Sequence, residues 1–340
     1  MSTSANLSWK IKLASFIVKF IMKLSCRSDG TINRRLSNFL DYRVPASIKP
    51  INGVQTSDIT VDSSRNLWFR LFIPTNTGGG NDAGLPVIVY FHGGGGALSS
   101  ADSKGYDTFC RKLAGEFNAV IISVNYRLAP ENKYPCQYED GFDVLKFIEE
   151  NPYFEGFPTN ANLKNCFVGG DSAGGNIAHH VAVKACNYEF RNLKFSGVIA
   201  IQPGFGGEER TESEVDFARA LFLDVEQIDW FWKAFLPEGS DRDHPATNVF
   251  GPKSVDQISG KNFPATIVIV GGLDPLKDWQ TRYYEGLKKC GKEAYLIEYP
   301  NAFHGFYSLS PEQEESSLFI NEVRDFIQRQ SSAAAAKCMD

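Results

Sequence analysis

The chain reads as an α/β protein built on one mostly parallel central sheet with helices on both faces. Three observations predict this. Apolar runs of strand length recur at residues 87–91, 120–124, 166–169, 198–202, 266–270 and 294–299, with helical patterns between them, the alternation that buries a parallel sheet between two helical layers. A GxSxG pentapeptide, Gly170 to Gly174, stands between the apolar run Cys166-Phe167-Val168 and a helical stretch over 176–185. A glycine run, His92 to Gly96, directly follows the strand-like Val87-Ile88-Val89-Tyr90-Phe91, which reads as a buried parallel strand.

Taken in order from the N-terminus, the first element is a helix. Lys10 and Lys12 precede a short apolar core at 13–18 of the signal-peptide kind, but Lys19 and Lys23 interrupt it too early and leave it too charged to cross a bilayer. Trp9, Leu13, Phe16, Ile17, Phe20, Ile21 and Leu24 recur at spacings of three and four, with Lys12, Lys19 and Lys23 placed on the opposite face, so the segment is expected to be amphipathic. Residues 56–61 and 67–73 flank Asp62-Ser63-Ser64-Arg65-Asn66 and predict an antiparallel hairpin at one sheet edge. A glycine-rich loop at 75–84 then leads into the parallel strands. Residues 208–262 interrupt the strand–helix alternation with Phe, Trp and acidic side chains and are expected to form a cap over the site. Residues 1–330 form one domain, and 331–340, with its alanine run, is expected to be a disordered tail.

The chemistry lies in the motifs. A serine between two glycines at a strand-to-helix turn is a nucleophile elbow, where the tight, strained backbone excludes bulky neighbours and lifts the hydroxyl to the top of the sheet. Ser172 is therefore the candidate nucleophile. Its hydroxyl needs a base, and the base an orienting carboxylate. Of five histidines, His179 and His180 fall inside the following helix, His92 precedes the glycine run and is expected to bond that loop, and His244 lies in a polar stretch. His304 remains, in the loop after the strand at 294–299 and before a terminal helix. Asp274 follows the strand at 266–270; Asp278 is the rival carboxylate but reads as a helix N-cap. The order Ser172, Asp274, His304 is that of an α/β-hydrolase fold. The amides of Gly93, Gly94 and Ala173 are expected to form the oxyanion hole, where one lost donor costs about 3–4 kcal/mol of transition-state stabilisation.

His92-Gly93-Gly94-Gly95, the stretch from Asn125-Tyr126-Arg127 to Glu131, Gly170-Asp171-Ser172-Ala173-Gly174-Gly175-Asn176 and Phe303-His304-Gly305-Phe306 resemble the plant carboxylesterases of the hormone-sensitive-lipase-like group. The stretch from Arg27 to Asp41 resembles the branch that includes the gibberellin receptors and their esterase relatives. The resemblance implies an N-terminal lid over residues 1–45 and a Ser172, Asp274, His304 triad. A helix with a basic face can also lie on a membrane surface; the resemblance favours the lid. Gly96 and Gly204 replace aromatic residues common in the family, and together with Tyr126 are expected to line a substrate site larger than in its relatives.

The function expected is hydrolysis of a bulky plant-metabolite ester. An alkaloid methyl ester fits, with loss of carbon dioxide following if the freed acid lies beta to a carbonyl or imine. The same site can serve a lyase, cyclase or dehydratase without an acyl-enzyme. A gibberellin-receptor-like binding protein is the competing class, but such receptors lack the catalytic histidine and His304 is present. No metal or organic cofactor is required. Net charge of −5 without a basic stripe argues against a nucleic-acid partner. Seven cysteines without metal or CxxC spacing read as reduced thiols in a cytoplasmic or nuclear protein.

Overall fold

The computed structural model describes residues 9–75, 84–310 and 312–336. Two helices, α1 (Trp9–Ser25) and α2 (Arg34–Leu40), precede the sheet. The strands are β1 (Val54–Asp62), β2 (Leu67–Pro74), β3 (Leu85–Phe91), β4 (Val120–Asn125), β5 (Ala161–Asp171), β6 (Phe195–Ile201), β7 (Ala265–Gly271) and β8 (Ala294–Tyr299). Between and after them run α3 (Lys104–Phe117), α4 (Cys136–Glu150), α5 (Ala173–Ala185), α6 (Glu212–Asp216), α7 (Val225–Phe235), α8 (Lys277–Lys289), α9 (Phe306–Leu309) and α10 (Glu314–Ala336).

The eight strands form one sheet in the order β1-β2-β4-β3-β5-β6-β7-β8. The hairpin β1–β2 and the β2–β4 pair are antiparallel, and all later pairs are parallel. Asn66 closes the hairpin with φ of 52°, a left-handed conformation that asparagine tolerates.

Period-two alternation assigns each strand's residues to two cores. Val87, Val89, Phe91, Val168, Val198, Val268 and Val270 face one helical layer that includes Ile177, Val181, Tyr283 and Leu287. Ile88, Tyr90, Phe167, Ile199, Ile267 and Ile269 face the other, with Phe109, Leu113, Phe319, Val323 and Phe326. The sheet is thus buried on both sides, which is why its parallel strands read as continuous apolar runs.

The expected tail requires a correction. Residues 331–336 continue α10, and the Ser331 hydroxyl accepts a hydrogen bond from Asn165 Nδ2 at 2.8 Å. Alanine is the strongest helix former, so the alanine run propagates the helix. Residues 337–340, Cys338 among them, and residues 76–83 of the glycine-rich tract lie outside the described residues. The other six cysteines are free thiols.

Candidate active site

β5 ends at Asp171 and α5 begins at Ala173, so Ser172 occupies the turn, with φ 52° and ψ −121°. A non-glycine residue held there costs about 1–3 kcal/mol. Surrounding backbone bonds hold it: Ser172 N donates to Ile201 O at 2.9 Å, and Gly204 N donates to Ser172 O at 2.7 Å. A Cβ at Gly170 would lie 2.4 Å, and one at Gly174 1.9 Å, from the Phe91 carbonyl oxygen. The glycines of the motif are therefore required by the approach of β3 as well as by the turn.

Asp274 is fully buried in the turn after β7. Its Oδ2 is 2.7 Å from His304 Nδ1. With Nδ1 donating to that carboxylate, Nε2 is left as the ring's free acceptor. Two residues that the sequence reading did not assign complete this arrangement. Gln202 Nε2 and Gln280 Nε2 donate to the same Oδ2 at 3.0 and 2.9 Å, and the Leu276 amide donates to Oδ1 at 2.9 Å. A buried carboxylate needs such donors to stay charged. Asp278 sits in the first turn of α8 rather than at its cap, which is Leu276. It accepts from the Ser213 amide at 2.8 Å and so ties α6 to α8.

Of the amides expected to hold an oxyanion, that of Gly93 is already engaged. Gly93 N donates to Asp171 Oδ1 at 3.0 Å and to Tyr106 Oη at 2.8 Å, so this amide is occupied. The amides of Gly94 and Gly95 have no acceptor among the described residues, and both glycines line a cavity shared with Ser172 and His304. Asp171 also accepts from the hydroxyls of Tyr90, Tyr106 and Tyr307 at 2.6, 2.9 and 2.9 Å. Burial pushes its carboxyl above the ordinary range despite these donors. His92 Nδ1 lies 2.8 Å from Gly93 O, and burial lowers its pKa to about 4, so the ring is a neutral brace of the loop.

Two of the residues expected against substrate stand elsewhere. Tyr126 is buried behind the loop, its hydroxyl donating to His92 O at 2.6 Å and its ring stacked on His92 with centroids 4.3 Å apart. Gly96 is buried too, and a Cβ there would lie 2.9 Å from Phe235 Cδ2. Phe235 and Phe231 of α7 pack against Gly96 and its neighbour Gly95, so the space that a side chain at Gly96 would take is filled. Gly204 does line the cavity beside Ser172. That inner cavity, about 50 Å³, is walled by Gly95, Ala173, Gly204, Phe231 and Phe235. An outer one of about 410 Å³ reaches Ser172 and His304 between α1, α2 and the Gly305–Leu309 segment, with Val18, Ile21, Met22 and Leu40 on its wall.

α1 is joined to residues 208–262 by polar bonds: Lys19 Nζ to Asp224 Oδ2 at 2.8 Å, and Phe222 N to Ser15 Oγ at 2.9 Å. Trp230 Nε1 donates to Arg27 O at 2.6 Å just beyond the helix. The face turned inward carries Ile11, Ser15, Val18, Met22 and Ser25, while Trp9, Leu13, Phe16, Ile17, Phe20 and Leu24 are exposed. Ser15 suits the inward face because its hydroxyl accepts from the Phe222 amide, which a phenylalanine cannot do.

A family model described as alpha/beta hydrolase fold matches residues 88–308. Among related plant proteins, the gibberellin receptor GID1C of Arabidopsis thaliana is 44% identical and covers 91% of each chain. Carboxylesterase 20 of the same plant is 33% identical over 88% of this chain and 93% of its own. Among solved structures, an esterase from Pyrobaculum calidifontis superposes with a TM-score of 0.70 at 27% identity, covering 96% of this chain and 92% of its own. A bacterial heroin esterase shares the fold, with a TM-score of 0.74 at 24% identity, 97% of this chain and 99% of its own being covered.

Proposed function

The chain belongs to the alpha/beta hydrolase family, and on that ground we propose that Ser172, Asp274 and His304 form the triad through which it cleaves a bulky, apolar plant-metabolite ester. It is a carboxylesterase-type serine hydrolase. The observation that carries the triad is the 2.7 Å bond between His304 Nδ1 and Asp274 Oδ2, in the wall of the cavity that Ser172 also lines.

In the first step His304 Nε2 takes the Ser172 hydroxyl proton as Oγ attacks the ester carbonyl carbon. The carbonyl oxygen becomes an oxyanion held by the amides of Gly94, Gly95 and Ala173, the last at the positive end of α5. Collapse expels the alcohol, which receives the proton from His304, and leaves an acyl-enzyme on Ser172. Water then attacks that ester with His304 again as base, releasing the acid and restoring the serine. The strained serine and the closely held Asp274 supply pre-organisation, so little rearrangement is needed as charge develops.

Cavity shape guides the substrate class. The inner space of about 50 Å³ suits a small group such as methoxy or acetyl. The outer space of about 410 Å³, lined by apolar side chains of α1, α2 and α7, suits the larger apolar part. A methyl ester of a polycyclic acid, alkaloids included, fills both. If its freed carboxylate stands beta to a carbonyl or imine, carbon dioxide leaves without further help from the protein. Of the expected lid, residues 1–8 lie outside the described residues; residues 9–45 act as the lid and 208–262 as the cap of this pocket.

The 44% identity with a gibberellin receptor supports a second reading, a small-molecule binding protein on the same scaffold. Reaction with a fluorophosphonate separates the two. Hydrolase function requires one covalent adduct in the intact mass, absent from Ser172→Ala and accompanied by aryl-acetate hydrolysis. No adduct on the native chain would favour the receptor.

A further inference from the structure

The outward face of α1 is an unusual surface. Trp9, Leu13, Phe16, Ile17, Phe20 and Leu24 are 69, 48, 66, 47, 52 and 50% exposed. On a helix their spacing places them in one continuous stripe, opposite the face that packs on the protein. The helix runs about 26 Å at the usual rise. A contiguous apolar patch of this kind on a folded chain marks an interaction site.

Charge identifies the occupant. Residues 9–28 contain no Asp or Glu, although the whole chain has a net charge of −5. Lys10, Lys12 and Lys23 are exposed along the edges of the stripe, without a carboxylate partner among the described residues. Lys19 alone is drawn inward, to Asp224. A second copy docking by the same face would bring these lysines against their equivalents across a two-fold axis, a repulsive pairing. An anionic lipid surface presents the opposite charge at the depth where the lysines sit, with apolar chains beneath for the stripe. Trp9 at the end of the helix suits the headgroup level. No helix among the described residues is long and apolar enough to cross a membrane, so the contact is peripheral.

We propose that α1 is an interfacial helix that seats this protein on anionic membranes, with its outer stripe in the headgroup–acyl boundary and its inner face closing the pocket. The outer cavity lies against the inner face of α1, between it, α2 and the Gly305–Leu309 segment, so a seated α1 holds the cavity about one helix diameter from the bilayer. An apolar ester dissolved in lipid then has a short path to Ser172. That consequence rests on the hydrolase reading; the seating itself rests on α1 alone.

The test is flotation of the full chain with vesicles of phosphatidylcholine, with and without phosphatidylserine. Binding is expected only with phosphatidylserine, weakening as salt is raised. It should fall about fivefold for each of Lys10→Gln, Lys12→Gln and Lys23→Gln. The Phe16→Ser/Phe20→Ser variant should cease to float while keeping the native thermal midpoint and its fluorophosphonate adduct, since neither ring packs in the core. Failure of the native chain to float, or equal flotation of the serine variant, would overturn the proposal. So would a concentration-dependent dimer that the serine variant abolishes, which would make a second copy the occupant. Vesicle binding without any adduct at Ser172 would leave the seating intact and refute the hydrolase instead.

Discussion

Gln202 and Asp274 are joined by a 3.0 Å hydrogen bond from Nε2 to Oδ2, and the same glutamine accepts from the Gly305 amide at 2.8 Å through Oε1. One side chain thus spans the loop that carries the acid and the loop that carries the base. Gln202 adopts φ of 41° to do so, and a Cβ at Gly271 would lie 2.3 Å from its Nε2.

Gln202→Ala should therefore slow the reaction without weakening substrate binding. Loss of a hydrogen bond to a buried carboxylate corresponds to about 1.5–3 kcal/mol, or on the order of ten- to a hundredfold in kcat. Steady-state kinetics on an aryl acetate would show it as a fall in kcat at nearly constant KM. A change confined to KM would mean that Gln202 contacts substrate instead.

The acid is tested by comparing two aspartates. Asp274→Asn should lower kcat on the order of 10⁴-fold by misorienting His304, with His304→Ala at least as severe. Asp278→Asn removes a charge but keeps an oxygen that can accept from the Ser213 amide, and should leave kcat within a fewfold. A reversed ranking would reassign the acid.

Glycines 95 and 96 should tolerate no side chain. Both have positive φ, 65° and 66°, and a Cβ at Gly95 would meet Phe231 Cδ1 at 2.0 Å. Gly96→Phe is expected to destabilise the fold, seen as a lower urea midpoint, in place of any selective narrowing of the pocket. Phe231→Ala should instead extend the inner cavity, raising kcat/KM for butyrate over acetate esters. An unchanged chain-length preference would show that the ring does not bound the acyl group.

Stability should fall with acid before the carboxylates titrate. His92 is held neutral to about pH 4 by burial, whereas in the unfolded chain it binds a proton near pH 6.5. Between these values the unfolded state holds the extra proton, so this group's contribution is complete above about pH 6.5 and is lost as pH falls towards 4. The slope is at most about 1.4 kcal/mol per pH unit. Burial lowers the pKa of His179 in the same direction. Urea unfolding across this window should show the decline, and His179→Phe should flatten it by up to one proton.

Much of the molecule is legible in its sequence. Apolar runs of strand length marked the parallel strands, because a sheet buried on both faces has no polar positions to interrupt it. The elbow and the order of Ser172, Asp274 and His304 were readable because a strained turn restricts its neighbours to glycine and because strand ends position loop residues. These are local records of backbone conformation and hydrophobic period. Three matters were decided only by tertiary structure. Which glycine amide is free depends on Asp171, which approaches Gly93 from 78 residues away. The glutamines that hold Asp274 come from separate elements, and an isolated Gln carries no pattern. Both faces of α1 contain apolar residues, so periodicity cannot choose between them. The tertiary contact made by Ser15, whose hydroxyl accepts from the buried Phe222 amide, fixes which face turns inward and leaves Phe16 and Phe20 outside.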